Sequence, residues 1–251
     1  MKSIVTSAKE KGPRSYQEDR HLHIKVACKS GFQGELLAVM DGHGGESVSE
    51  FCEKEIPDLF KLFEPEQAET ALKELVAELS LRTSHFRAGS TISLALITDN
   101  PRKVSVAVLG DSPVVVLDER GQLHLSPEHN VRSNLEERKA AEQRGGIFSD
   151  GYIWNDLGDL GQSLQMSRAL GDAYLGNILS REPDIYTIAE PVWVLVASDG
   201  LFDPEHSDTQ RLLEEIEDYA KRNASADKLM RWAEKRGLKD NATSIVWHED
   251  S

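Results

Sequence analysis

Three apolar, strand-like runs in this chain abut carboxylates. The run 36–40 is followed by Asp41-Gly42, 192–197 is followed by Ser198-Asp199-Gly200, and 245–247 is preceded by Asp240-Asn241. A fourth acidic cluster, Gln17-Glu18-Asp19, lies near the start. Carboxylates at strand ends, several of them followed by glycine, differ from ordinary solvated charge. They constrain the fold to one that gathers distant strand ends into a single oxygen-rich site. Such a donor set suits a hard divalent cation such as Mg²⁺ or Mn²⁺.

The rest of the pattern supplies elements around those runs. A strand over 35–41 is turned by Gly44-Gly45 into a helix that carries Val48, Phe51, Cys52, Ile56, Leu59 and Phe60 at helical spacing. A second helix is expected over about 66–85, with Ala68, Leu72, Leu75, Val76 and Leu79 on its inner face. Strands follow at 90–98, 103–110, 114–118 and 122–125, with turns at Asn100-Pro101 and Gly110-Asp111-Ser112-Pro113. A polar helix over 134–144 is stopped by Gly145-Gly146, and the Gly- and Asp-rich stretch 150–161 is expected to be a mobile surface flap. Beyond the strand 192–197, helices are expected at 208–221 and 225–235, with Ser225 as N-cap and Gly237 as C-cap, and a last strand at 243–248. No linker, low-complexity tract or internal repeat divides the 251 residues, so one domain is expected over 1–251. Two packed sheets with a helix pair on each outer face accommodate this pattern, although periodicity alone does not select that fold.

Seven segments run in one order along the chain. They are Arg14-Ser15-Tyr16-Gln17-Glu18-Asp19, Asp41-Gly42-His43-Gly44-Gly45, Ala88-Gly89-Ser90-Thr91 and Gly110-Asp111-Ser112. Then come Ser167-Arg168-Ala169-Leu170-Gly171-Asp172, Ser198-Asp199-Gly200-Leu201-Phe202-Asp203 and Asp240-Asn241-Ala242-Thr243. In wording and order they resemble the metal-dependent Ser/Thr protein phosphatases, the PPM or type 2C family, over essentially the whole chain. A lone Asp-Gly is more often a β-turn; seven ordered segments are not explained that way. The resemblance implies an α+β, four-layer αββα sandwich of two mainly antiparallel sheets flanked by helix pairs, with a flap within about 130–165. It also implies hydrolysis of phosphoserine and phosphothreonine in proteins by a binuclear metal centre and a metal-activated water.

The same resemblance implies two Mn²⁺ or Mg²⁺ ions and assigns roles position by position. Asp41 matches the aspartate that bridges both metals, Gly42 the position whose carbonyl ligates one, and Asp199 and Asp240 the other direct carboxylate ligands. With no side chain at Gly42, that carbonyl can approach an ion closely. Glu18 and Asp19 match acidic residues that hold waters around the metals and tune their acidity. Arg14 matches the phosphate-binding arginine, and a guanidinium can grip a phosphate through two parallel hydrogen bonds. His43 matches the proposed general acid. Many members carry a third, weaker metal near the position matching Asp111, with Asp203 the other candidate there. The position matching Pro113 is usually arginine, so the local geometry is expected to differ. Asp172 is read as structural, anchoring the flap's return to the sheet. Glu128 replaces the aspartate of the family's Asp-His pair before His129. His21 and His23 are expected to decorate one sheet face; His129 and the remaining histidines, with no partner pattern, default to surface or capping roles.

The net charge of −14 argues against nucleic acid or an anionic membrane as partner. It also weighs against a two-metal nuclease, whose carboxylates would be similar but whose substrate demands a basic track. A noncatalytic binding module on the same fold would be favoured by loss of a metal carboxylate or of Arg14, and every such position is filled. No run is long enough to cross a membrane, and the first residues lack the apolar region of a secretory signal. Cys28 and Cys52 form neither a metal-ligand spacing nor a disulfide framework. The expectation is a cytoplasmic, monomeric signalling enzyme acting on phosphorylated proteins and opposing a Ser/Thr kinase.

Overall fold

The long apolar runs form strands, and their pairing is what draws the acidic segments together. The computed structural model of the chain describes residues 3–27, 31, 33–62, 67–156, 162–203 and 209–250. In chain order the elements are β1 (Ser3–Glu10), β2 (Arg20–Ala27), β3 (Gln33–Met40), the short β4 (Gly42–His43), α1 (Ser47–Leu62) and α2 (Ala68–Thr83). The short β5 (Gly89–Ser90), β6 (Ile92–Asp99), β7 (Arg102–Leu109), β8 (Val114–Asp118), β9 (Leu123–Leu125) and α3 (Leu135–Gln143) follow. Next are β10 (Ile147–Ser149), β11 (Tyr152–Trp154), β12 (Ser163–Leu164), β13 (Leu170–Gly171), β14 (Asp184–Ala189) and β15 (Pro191–Ala197). Helices α4 (Thr209–Ala220) and α5 (Ala226–Arg236) and strand β16 (Ala242–Glu249) complete the order.

Two five-stranded sheets, β1-β16-β15-β8-β9 and β14-β7-β6-β3-β2, carry the architecture. Strand residues alternate between faces, and here both faces are covered. On β3, Leu36, Ala38 and Met40 pack with Cys52 and Ile56 of α1 and Leu72, Leu75 and Leu79 of α2. Leu37 and Val39 point the other way, into a layer shared with Val116, Val194, Val196 and Ile245 of the opposite sheet. That sheet's outer face, with Trp193, Leu195 and Val246, packs on Leu212 and Ile216 of α4 and Leu229 and Trp232 of α5. The result is the expected αββα sandwich. Cys52 is fully buried and its thiol is pushed up to about 12 by burial, so it is a small hydrophobe as expected; Cys28 lies outside the described residues.

Antiparallel register then fixes where strand ends meet. Arg20 pairs with Met40, Ile92 with Leu109, Val114 with Val196 and Ala197 with Ser244. The segments just outside these pairs are Asp19, Asp41, the 110–113 turn, Ser198-Asp199 and Asp240-Asn241, all at one end of the sandwich.

Among the strands of the two five-stranded sheets, β1 and β14 were not expected from the sequence. Each is the edge of its sheet and each is mostly exposed or half-buried, so neither carries the apolar run or the clean alternation of an inner strand. The stretch expected to be a mobile flap contains the strand β11. β11 pairs with β10 and β12, and Ile153 is fully buried against Val131 and Ala141 of the neighbouring loop and α3; residues 157–161 of that stretch lie outside the described residues. Asn134 caps α3 by accepting from the Glu136 and Glu137 N–H groups. Ser225 occupies the N-cap of α5 in an extended conformation, but its hydroxyl makes no capping bond.

Candidate metal centre

Asp41 leaves β3 into a bracket built by Thr91. The Asp41 N–H donates to Thr91 Oγ1 at 3.1 Å, and Thr91 N–H donates back to the Asp41 carbonyl at 2.9 Å. Thr91 Oγ1 also meets Ser112 Oγ at 2.7 Å, which ties the Asp111 turn to the same place. Asp19 is held from the other sheet. Its Oδ2 accepts from Ser198 Oγ at 2.8 Å and Thr243 Oγ1 at 2.7 Å, so the ends of β15 and β16 grip the residue that opens β2. The Asp199 and Asp240 turns are pressed backbone to backbone: a methyl on Gly200 would lie 1.9 Å from the Asn241 carbonyl oxygen. Asn241 uses its whole amide, accepting from Glu18 N–H at 2.8 Å and donating to the Lys11 and Tyr16 carbonyls.

These anchors make five carboxylates converge. Asp41 is pushed well above the usual carboxylate range by burial and then by the charges of Asp19, Asp199, Asp111 and Asp240. Asp19 is also raised, by burial first, with its two hydroxyl bonds opposing. Glu18 sits beside them, its Oε1 accepting from Gly45 N–H at 2.6 Å and its carbonyl accepting from Ser49 Oγ at 2.5 Å. Gly42 packs on that same Glu18 carbonyl, where a methyl would come within 2.6 Å. Arg14 makes an ion pair with Asp240, a contact the sequence did not announce for a residue read as a phosphate grip. Asp203 follows the turn that carries Asp199, and its charge acts on Arg236. Arg236 in turn donates to the Leu201 and Phe202 carbonyls at 2.8 and 2.7 Å.

The donor chemistry fits hard divalent cations. Every converging side chain offers oxygen, and Asp19 Oδ1 is buried with no hydrogen-bond partner. Among the described residues no three acidic, cysteine or histidine side chains are drawn tightly enough to grip an ion as they stand; what converges is their charge.

His43 and Asp172 form the other half of the site. His43 Nε2 meets Asp172 Oδ2 at 2.8 Å, with the imidazole 23% exposed and the carboxylate 0%. Asp172, expected to anchor the flap's return to the sheet, is also the hydrogen-bond partner of His43, a contact that was not expected from the sequence. The signal that could have found it is the pairing of β4, β5 and β13, which no sequence spacing reveals. His129, expected at the surface, is also buried: it accepts from Gly110 N–H through Nδ1 at 3.0 Å and meets Asp184 Oδ2 through Nε2 at 3.1 Å. Asn130 beside it donates to Asp111 Oδ2 at 2.9 Å.

Comparisons with known proteins agree with this geometry. The sequence profile of the family described as "Protein phosphatase 2C" matches residues 5–242. "Protein phosphatase 1L" of Bos taurus is 29% identical over 94% of this chain and 69% of its own length. "Probable protein phosphatase 2C 59" of Oryza sativa subsp. japonica is 30% identical over 95% of this chain and 73% of its own length. The solved structure of the serine-threonine phosphatase 2C from Toxoplasma gondii superposes with a TM-score of 0.68 at 19% identity, covering 97% of this chain and 94% of that one, a likeness of fold. The chain belongs to the protein phosphatase 2C family and is, by that membership, a protein serine/threonine phosphatase.

Proposed function

We propose that the chain hydrolyses phosphoserine and phosphothreonine in proteins, with two Mn²⁺ or Mg²⁺ ions held by Asp41, the Gly42 carbonyl, Asp199 and Asp240. The observation that carries this reading is at Asp41, a half-buried acid on which the charges of four other carboxylates act. Glu18 and Asp19 would hold waters around the ions, and Asp111 with Asp203 would be the place for a third. Bound cations offset the repulsion between a nucleophile and an anionic phosphate and lower the pKa of water toward neutrality.

The chain's own residues do the rest. Arg14 is half-exposed on Asp240, at the rim where a phosphate would enter, and its guanidinium can take two phosphate oxygens at once. A serine or threonine alkoxide is a poor leaving group, and His43 supplies its proton. No covalent phosphoenzyme is required. The physiological role follows as regulation opposite a Ser/Thr kinase by a cytoplasmic monomer whose 1–251 span acts as one catalytic unit.

The test is phosphate release from phosphoserine, phosphothreonine and phosphotyrosine peptides. EDTA should abolish release and Mn²⁺ or Mg²⁺ restore it, with phosphotyrosine the poorest substrate. Full activity in metal-free buffer would reject the mechanism.

A further inference from the structure

The short strands β13, β5 and β4 lie side by side in that order, so that Gly89 pairs with His43 on one side and Gly171 on the other. The His43–Asp172 bond therefore passes over Gly89. A methyl there would lie 2.0 Å from Asp172 Oδ2 and 2.3 Å from His43 Nε2, so the middle strand has room for this bond only because that residue lacks a side chain. Asp172 itself is immobilised. Its N–H donates to the Ala88 carbonyl at 3.0 Å, and its carbonyl accepts from Leu175 N–H at 2.9 Å. Arg181 donates to the Ala169 carbonyl and, at 2.5 Å, to the Gly171 carbonyl just before it. Its backbone is left-handed, φ 50°, a conformation that aspartate and asparagine tolerate better than most residues. Tyr174 lies against the same carboxylate, its phenol pushed up by burial and then by the Asp172 charge.

From this geometry we infer that Asp172 is the positioning residue of His43, holding Nε2 so that Nδ1 is the nitrogen that serves the substrate. An ionised carboxylate only accepts, so the proton between them belongs to Nε2. Among the described residues the hydrogen bond of the His43 ring is the one through Nε2. The inference deepens the phosphatase reading and rests on it for its chemical consequence. As water oxygen bonds to phosphorus, the bond from phosphorus to the serine or threonine oxygen breaks. That oxygen keeps the electron pair and takes the proton from Nδ1. The imidazole is left neutral with its remaining proton on Nε2, still on Asp172, and solvent returns a proton to Nδ1. A fixed ring keeps Nδ1 aimed through the step, which is the role an aspartate plays behind a catalytic histidine in other hydrolases.

The experiment pairs kinetics with a spectroscopic reading of the ring. Asp172→Gly keeps the left-handed backbone while deleting the carboxylate, and Asp172→Asn keeps both the backbone and one acceptor oxygen. Asp172→Gly should lower kcat on a phosphopeptide by roughly 10- to 100-fold with KM little changed, part of the ~10²–10⁴-fold that acid assistance supplies. Hydrolysis of p-nitrophenyl phosphate, whose leaving group is stable without a proton, should fall far less, and Asp172→Asn should lie between wild type and Asp172→Gly. The double variant with His43→Ala should be no slower than His43→Ala alone. Multiplying losses, or equal losses on both substrates, would overturn the inference. Nitrogen-15 shifts of the neutral His43 ring, read in metal-free and Mg²⁺-loaded protein, should show the proton on Nε2 in the wild type and a loss of that preference in Asp172→Gly. A wild-type ring protonated on Nδ1 would also overturn it. If Asp172→Gly does not fold, Asp172→Asn and the wild-type ring shifts decide. A wild type that hydrolyses neither substrate would sink the phosphatase reading while the ring shifts still judge the His43–Asp172 pair.

Discussion

Among the histidine–aspartate pairs of the described residues, those at His129 and His43 sit in surroundings that balance charge differently. At His129 both ring nitrogens are taken, by Gly110 N–H and by Asp184, and the ring is 1% exposed. Asp184 also accepts from Arg168 at 3.1 Å, and Arg168 is bound to Glu137 of α3 at 2.5 Å. Acid meets base at each step, so the network pins α3 and the 128–131 loop to the edge strand β14. At His43 one nitrogen is taken and the other has no protein partner among the described residues, and the neighbouring segment carries Asp41 among four further carboxylates. A histidine with both nitrogens satisfied fastens its neighbours; the proposed proton donor keeps one nitrogen to spare beside a field of like charge.

The largest effect should come from removing charge on the imbalanced side. Asp41→Asn or Asp199→Asn should lower phosphatase activity roughly 10³-fold or more, since charge stabilisation by bound cations supplies several kcal/mol. The fold should survive, and without metal Asp41→Asn should melt higher than the wild type, because a half-buried carboxylate repelled by its neighbours has been removed. Saturating metal should then stabilise the wild type, by about 2.7 kcal/mol at 100 times the dissociation constant, raising its melting temperature, and should stabilise Asp41→Asn much less. A metal-free Asp41→Asn protein less stable than the wild type would show that the carboxylates are not in repulsion and erase the contrast between the two regions.

His129→Ala should show the reverse profile. It strands the Gly110 N–H and removes a partner from Asp184, each a buried or half-buried polar loss, so about 1–3 kcal/mol of stability should go. That corresponds to a melting temperature several degrees lower for a chain of this size. The ratio of phosphopeptide to p-nitrophenyl phosphate hydrolysis should stay near the wild-type value, whereas His43→Ala should shift it strongly. A shift of that ratio in His129→Ala as large as in His43→Ala would place His129 in the chemistry and dissolve the distinction.

How much of this was legible depended on whether a residue's role is local. The inner strands were readable because burial on both faces leaves apolar runs such as those of β3, β8 and β15. The edge strands β1 and β14 were not, because half-exposed residues carry no such imprint. Asp41, Asp199 and Asp240 stood out at the ends of those runs, with Asp19 in a fourth acidic cluster. Their supports did not: Ser198 and Thr243 reach Asp19 only through the register of β15 with β16, and Arg14 reaches Asp240 across almost the whole chain. Asp172 lay in plain view within a recognised segment, yet its bond to His43 exists only because two strands flank Gly89. His129 was misplaced at the surface for the same reason, since a histidine's partners are set by tertiary pairing.

The smallest effect concerns pH, and it isolates the balanced network because the metal-site residues are common to both proteins compared. His129 is held below its ordinary 6.5 by burial and then by the Arg168 charge, against the pull of Asp184 and Glu137. The folded ring is thus neutral where the unfolded one has begun to take a proton, and stability is lost as pH falls below 6.5 toward the folded value. Glu137 is lowered from 4.5 although burial raises it, because its bonds to Arg168 and Ser167 and the Arg168 charge outweigh that burial. Asp184 is lowered from 3.8 in the same way by His129 and Arg168. Their contributions are present above 4.5 and 3.8 and are lost as pH falls through those values, so all three groups lose stability in acid. Chemical denaturation of metal-free wild type and His129→Ala at about pH 7.5 and about pH 5 should therefore give a smaller difference at the lower pH. A difference that is equal or larger in acid would mean that His129 is charged in the folded protein, and the pair would then be an ion pair rather than the neutral fastener that separates it from His43.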